Sequence, residues 1–162
     1  DEYDRQFVRY RFLTRNLQTG EESVLVDTSE NFVMTVDPHR SWGQYAVYQV
    51  DRSLYVYDLE KQAAKKLFTY EQNWDFYNYM ILDGHVIAIC GTENVCRVWA
   101  IDIADEVVTE LDTRSGNVMI FSTDYECDGY FKGLLTEPSG NVEVCYISKE
   151  DFYRSNYDGA FH

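Results

Sequence analysis

A chain of 162 residues can build one domain with a real core and has little room for a second; 14 lysines and arginines against 28 acids give it a formal net charge of -14. Aromatics reach 16%, with 14 tyrosines against two prolines and nine glycines, which excludes collagen-like, low-complexity and disordered chains. Phosphate contacts need clustered cations, so nucleic acid is a poor partner, and a protein with basic groups is a better one.

Taken in order, the chain reads as short alternating strands separated by turn residues. A first strand runs into Asn16-Leu17, turns through Gln18-Thr19-Gly20-Glu21, and returns as a strand reaching Leu25. Phe32 to Val36 and Tyr45 to Val50 follow, then Leu54-Tyr55-Val56-Tyr57-Asp58-Leu59, the turn Glu60-Lys61-Gln62, and a strand ending in Leu67. A helix over Leu59 to Phe68 competes there, because Leu59, Ala63, Ala64, Leu67 and Phe68 share a helical face. Phe76 to Leu82, the turn Asp83-Gly84, Val86 to Cys90 and Val98 to Ile103 make the next group, with a return strand to Leu111. Val118 to Phe121 and Val142 to Ile147 are the last clear strands, and Lys149 to Asn156 has room for a helical turn or two.

These strands repeat. Asn16-Leu17, Asp58-Leu59 and Asp102-Ile103 are spaced by 42 and 44 residues, and a leucine stands nine residues after each first anchor, at Leu25, Leu67 and Leu111. A period of roughly 40 to 45 residues holding four strands is that of a propeller blade, whose sheet must stack on neighbours to bury both faces. Asn16 to Leu25 resembles the hairpin between the third and fourth strands of TolB-like and WD40-like blades. Leu54 to Leu59 resembles the strand preceding such a hairpin, and Asp83-Gly84-His85-Val86-Ile87-Ala88 resembles the Asp-Gly turn and second strand of a TolB-type repeat. The resemblance is at superfamily level and implies a fold, without carrying over functional residues. The expected fold is all-β, built of antiparallel four-stranded blade-like repeats over approximately residues 5–27 (partial), 31–69, 75–112 and 117–150 (partial). Such a chain is a partial or partner-completed propeller or a piece of a larger one, with a β-sandwich as the alternative.

Asp1-Glu2-Tyr3-Asp4 is no signal peptide, and no run approaches the roughly 20 apolar residues of a membrane span, so no membrane insertion is expected. The first residue is not methionine, which fits a mature form or an excised piece. Cys90, Cys96, Cys127 and Cys145 include no Cys-x-x-Cys pair. Cys90 and Cys96 flank a hairpin that would allow a cross-strand disulfide, or are two small buried residues in a reducing compartment. With no Asn-x-Ser/Thr sequon, the reading leans intracellular.

Candidate sites are few. Asp124, Glu126 and Asp128 before Gly129 have the alternating oxygen spacing of a calcium loop, but Lys132 and Leu135 stand where a closing carboxylate belongs, so a solvated hairpin turn is favoured. His39, His85 and His162 lie outside metal-ligand spacing and read as loop or terminal histidines. Neither a Gly-x-Ser-x-Gly elbow nor a phosphate loop occurs, so no catalytic residue and no cofactor is expected. The connection Tyr70-Glu71-Gln72-Asn73-Trp74-Asp75 would share one rim with the hairpin turns around Arg52, Glu93 and Asn94. Tyr70, Trp74, Asp75, Arg52, Glu93 and Asn94 are therefore the expected protein-binding residues, aromatic and arginine side chains being those that anchor interfaces. The expected function is a non-enzymatic binding or scaffold domain. Its alternatives are a propeller segment of a larger hydrolase or transport protein, and a self-assembling structural protein that pairs with its own copies.

Overall fold

The computed structural model describes residues 9–29, 32–33, 44–70, 75–92, 95–111, 118–119, 126–137 and 139–162. The described residues form antiparallel sheets, with one short helix and one 3₁₀ turn near the C-terminus. No helix among them is long and apolar enough to cross a membrane. The chain divides into two compact units, Asp1–Gln72 and Asn73–His162.

In the first unit, β1 (Tyr10–Arg15) pairs with β2 (Glu22–Thr28) as a ribbon, with an irregularity between Phe12 and Leu13. Next, β3 (Phe32–Val33), β4 (Tyr45–Val50), β5 (Ser53–Asp58) and β6 (Ala63–Thr69) form a four-stranded sheet in chain order. Val47, Leu54, Val56, Tyr57 and Leu67 are buried. Tyr48 opposes Tyr55 across β4 and β5, and the rings stack at 5.2 Å, 8° from parallel. Burial pushes the Tyr48 phenol up to about 12. The competing helix over Leu59–Phe68 does not form. Asp58 closes a turn by accepting the N–H groups of Glu60 and Lys61, and Gln62 takes a φ of 51°, which no right-handed helix accommodates.

In the second unit, β7 (Asp75–Leu82), β8 (His85–Thr92), β9 (Val95–Asp102) and β10 (Val108–Leu111) make a second complete four-stranded sheet. The last sheet holds β11 (Val118–Met119), β12 (Glu126–Cys127), β13 (Tyr130–Thr136) and β14 (Val142–Ser148). Both β11 and β12 pair with β13, at Leu134–Leu135 and Tyr130–Phe131 respectively, so they are two pieces of a single lane. The chain spends four more residues between Met119 and Glu126 than β13 spends between their partners Leu134 and Phe131. On the far side of β14, Tyr146 and Phe161 exchange backbone hydrogen bonds of 2.7 and 2.9 Å, so the C-terminal tail begins a further lane. Helix α1 (Lys149–Tyr153) lies between, as the sequence suggested.

Burial joins the two sheets of this unit. Leu82, Ile87, Ala100 and Leu111 from β7–β10 form one core with Phe131, Cys145, Ile147 and Phe152. In the β7–β10 sheet Ile87 and Ala100 are buried on one face and Val86 and Ile101 on the other, so only stacking removes both from water, at about 1.5–3 kcal/mol per large side chain.

The repeat has a structural cause. Asn16, Asp58 and Asp102 each use one side-chain oxygen to accept the N–H groups two and three residues ahead, at 2.7–3.1 Å. Four residues after each anchor the backbone enters the left-handed region, at Gly20 (φ 74°), Gln62 (φ 51°) and Glu106 (φ 60°). The residue after the anchor latches the previous hairpin: Leu59 N–H donates to the Gln44 carbonyl, and Ile103 N–H to that of Gly84. Lys149 N–H donates to Gly129 in the same way, which makes Ser148 the fourth anchor. There the hydroxyl accepts the Asp151 N–H and caps α1, so the fourth copy leads into a helix where the others make a hairpin.

Candidate functional site

Of the expected rim residues, Arg52 and Tyr70 lie at one end of the β3–β6 sheet and Asp75 at one end of the β7–β10 sheet. In the first unit, Val50 pairs with Ser53, leaving Asp51 and Arg52 as a two-residue turn between β4 and β5. Asp51 takes a φ of 49° and its carbonyl accepts the Gln49 side-chain amide at 2.6 Å, fixing the turn from beneath. Arg52 is 47% exposed, 3.8 Å from the Asp51 carboxylate. Its carbonyl accepts the Tyr70 N–H at 3.4 Å, which brings the end of β6 to the turn. Tyr70 itself is buried, its ring tilted against Phe68 at 5.9 Å, so it supports the turn and offers no ring to a partner.

In the second unit, Asp75 pairs with Gly91 at the base of the β8–β9 hairpin, where Thr92 meets Val95. Trp74, Glu93 and Asn94 lie outside the described residues. The same register sets Cys90 opposite Arg97 and Cys96 opposite Gly91. The two cysteines are therefore one step out of the cross-strand pairing that a bridge between them would use.

At the other end of this unit is a polar cluster that the sequence did not announce. His85 is not a loop residue; it opens β8, opposite Asp102, with its side chain 22% exposed. Its Nδ1 donates to the Asp83 carbonyl at 2.8 Å, its Nε2 stands 3.5 Å from Asp102 Oδ2, and its ring stacks on Tyr153 at 4.2 Å. Lys149 Nζ binds the Asp83 carboxylate at 2.7 Å and lies 5.7 Å from the Phe131 ring centre, while the Tyr153 hydroxyl donates to the Leu82 carbonyl. Both imidazole nitrogens face oxygen atoms of the protein. The cluster acts as a clasp between the Asp83–Gly84 turn and α1. The available signal was the pairing of two anchored hairpin ends, legible only once the register is known.

Charge is held elsewhere by local geometry. Asp58, nearly buried, lies below the usual carboxylate range, first because of the Lys61 backbone N–H, with further help from the Lys61 ammonium and the Glu60 N–H. The Ser148 hydroxyl and then the Asn156 amide hold Asp151 low in the same way. Arg9 lowers Asp27, with Arg11 adding to it.

Of the calcium candidates, Asp124 is outside the described residues, Glu126 lies in β12, and Asp128 is exposed in the tight turn before β13, with φ of 46° beside Gly129 at 86°. No group of three metal-binding side chains occurs among the described residues.

The arrangement is that of a propeller-type protein: consecutive antiparallel sheets with recurrent hairpin anchors, stacked face to face in the second unit. No family model and no curated protein matches the chain. Among solved structures it is similar to an oligogalacturonate lyase in complex with manganese, at 9% identity and a TM-score of 0.50, covering 87% of this chain and 40% of the lyase. It also overlaps TolB from Acinetobacter baumannii at 12% identity and a TM-score of 0.44, covering 88% of this chain and 38% of TolB. The chain thus spans about two fifths of these proteins, and the lyase likeness speaks for the fold alone.

Proposed function

We propose that the chain is a non-enzymatic protein-binding segment that meets its partner with the turns at one end of its sheets. The observation that carries this reading is Arg52. Arg52 stands on a two-residue turn whose backbone is braced by the Gln49 amide and the Tyr70 N–H, and its side chain is 47% exposed; a guanidinium so placed is the group that suits a carboxylate or a carbonyl of another protein. Asp75 stands at the corresponding end of the β7–β10 sheet, at the base of the hairpin that contains Glu93 and Asn94.

A photo-cross-linking residue placed at position 51, beside Arg52, against a control at Lys61 on the turn at the other end of the same sheet, tests this in the cells that make the protein. The expected result is one protein partner captured from position 51, not from 61, and lost when Arg52 is changed to Ala. Equal capture from both ends would remove the assignment.

A further inference from the structure

Asp-Gly occurs three times in the chain, at Asp83-Gly84, Asp128-Gly129 and Asp158-Gly159. An aspartate before glycine can close on itself, because no Cβ hinders the glycine nitrogen as it approaches the aspartate's own Cγ. Closure needs the Asp–Gly peptide plane to turn until that nitrogen reaches Cγ, so a contact that fixes the plane or the carboxyl group slows it.

The first two sites are equivalent hairpins of the repeat and make a matched pair. Asp83 takes a φ of 51° and Gly84 one of 74°, against 46° at Asp128 and 86° at Gly129. Each glycine carbonyl accepts one backbone N–H, from Ile103 at 3.0 Å in the first and from Lys149 at 3.2 Å in the second. The difference lies in what holds the aspartate. The Asp83 carbonyl accepts His85 Nδ1 at 2.8 Å, and its carboxylate binds Lys149 Nζ at 2.7 Å. Turning the Asp83–Gly84 plane breaks the first contact, and bringing Cγ onto the Gly84 nitrogen breaks the second. At the second hairpin Tyr130 stands where His85 stands in the first, and its ring packs edge-on against Phe161 at 5.4 Å. Asp128 is exposed, and no hydrogen bond or ion pair to any of the described residues holds its carbonyl or its carboxylate.

Asp158-Gly159 is restrained at the nitrogen. The Gly159 N–H donates to the Asn156 carbonyl at 3.2 Å, and the glycine lies against Asp151, whose carboxylate would stand 2.7 Å from a Cβ there.

We propose that Asp128 is a site of spontaneous isoaspartate formation in the folded protein, and that the contacts of His85 and Lys149 protect Asp83 from the same reaction. The Gly129 nitrogen attacks Cγ of the Asp128 carboxyl group in its acid form. The N–Cγ bond forms, the bond from Cγ to the hydroxyl breaks, and the hydroxyl leaves with the amide proton as water. Water then opens the five-membered imide. Addition at Cγ restores aspartate, and addition at the main-chain carbonyl gives isoaspartate, whose backbone runs through Cβ. The two-residue turn between Cys127 and Tyr130 thereby gains one carbon, and the carboxylate moves onto Cα.

The folded chain, held at physiological temperature and pH and sampled over weeks, tests this. Mass spectrometry of timed digests, with fragmentation that separates aspartate from isoaspartate, reads each site. Isoaspartate is expected to accumulate at 128 at least about tenfold faster than at 83 or 158. In urea, where local sequence alone acts, the three rates are expected to converge to within about threefold. Changing both His85→Ala and Lys149→Ala is expected to raise the rate at 83 toward that at 128, with 158 staying slow as the sign that the fold holds. Equal rates at 83 and 128 in the folded wild-type chain overturn the proposal. So does a preference for 128 that survives in urea, or an Asp83 that stays slow in the folded double variant.

Discussion

Asp58 and Asp102 stand 44 residues apart and do the same thing with one oxygen. Oδ1 of Asp58 accepts the N–H groups of Glu60 and Lys61 at 3.0 Å, and Oδ1 of Asp102 those of Ala104 and Asp105 at 2.7 Å. Asp102→Ala leaves both donors to water and is expected to cost about 1–2 kcal/mol, with Asp102→Asn retaining most of the stability because its amide oxygen accepts equally well. Urea unfolding followed by tryptophan fluorescence measures this. An unchanged midpoint for the alanine variant would mean that the backbone holds the turn unaided.

Acid should loosen the fold in a defined direction. Asp58 and Asp151 titrate below their ordinary value when folded, so the unfolded chain binds more protons as pH falls. Their contribution is complete above the unfolded carboxylate value of about 4 and fades as pH drops through the lower folded values. Denaturant midpoints collected from neutral to strongly acid pH are expected to fall below about pH 4, and to fall less steeply in Asp58→Asn. A wild-type midpoint that holds steady through this range would contradict the assignment.

Phe131 is the side chain around which the second core is arranged. It is fully buried, meets Phe152 edge-on at 5.2 Å, and contacts Tyr153 at 5.9 Å. Phe131→Ala is expected to cost about 3–5 kcal/mol through lost burial and the cavity left behind, and Phe131→Leu clearly less. Val142→Ala, on the open face of the same sheet, should stay within about 0.5 kcal/mol. Calorimetry of the three variants separates the outcomes, and equal costs at positions 131 and 142 would show that the two faces are wrongly assigned.

Gly84 and Gly129 test the hairpins without touching the packing. Their φ values are 74° and 86°, and a Cβ at either would meet nothing within 4 Å. Alanine at either position therefore costs backbone strain alone, about 1–2 kcal/mol, and asparagine less, since it tolerates the left-handed region. Chemical denaturation that ranks alanine and asparagine alike would rule out strain as the cause.

The sequence made the strands, their turns and their period legible because each hairpin is closed locally. An Asx anchor and an apolar alternation can both be read from neighbours in the chain. The helix competing over Leu59–Phe68 had an equally good apolar face. It lost to the Asp58 turn, whose effect depends on a backbone conformation at Gln62 that no residue type announces. His85 was read as exposed because its partners, Asp102 and Tyr153, lie 17 and 68 residues away and meet it only through strand register and the docking of α1. Tyr70 looked like a surface anchor by composition, yet burial beside Phe68 is a tertiary outcome.

The divided lane formed by β11 and β12 has a consequence for how such a protein changes over time. Strand β13 is held along its full length by β14, through seven consecutive pairs from Tyr130–Ser148 to Thr136–Val142. Its alignment is therefore set by β14, whereas the described pairs at its other edge are those of Val118, Met119, Glu126 and Cys127. Insertions and deletions between Met119 and Glu126 are expected to leave the buried Phe131 and the turn at Gly129 in place. A peptide epitope or sensor loop grafted between β11 and β12 is therefore expected to leave the β13–β14 pairing intact.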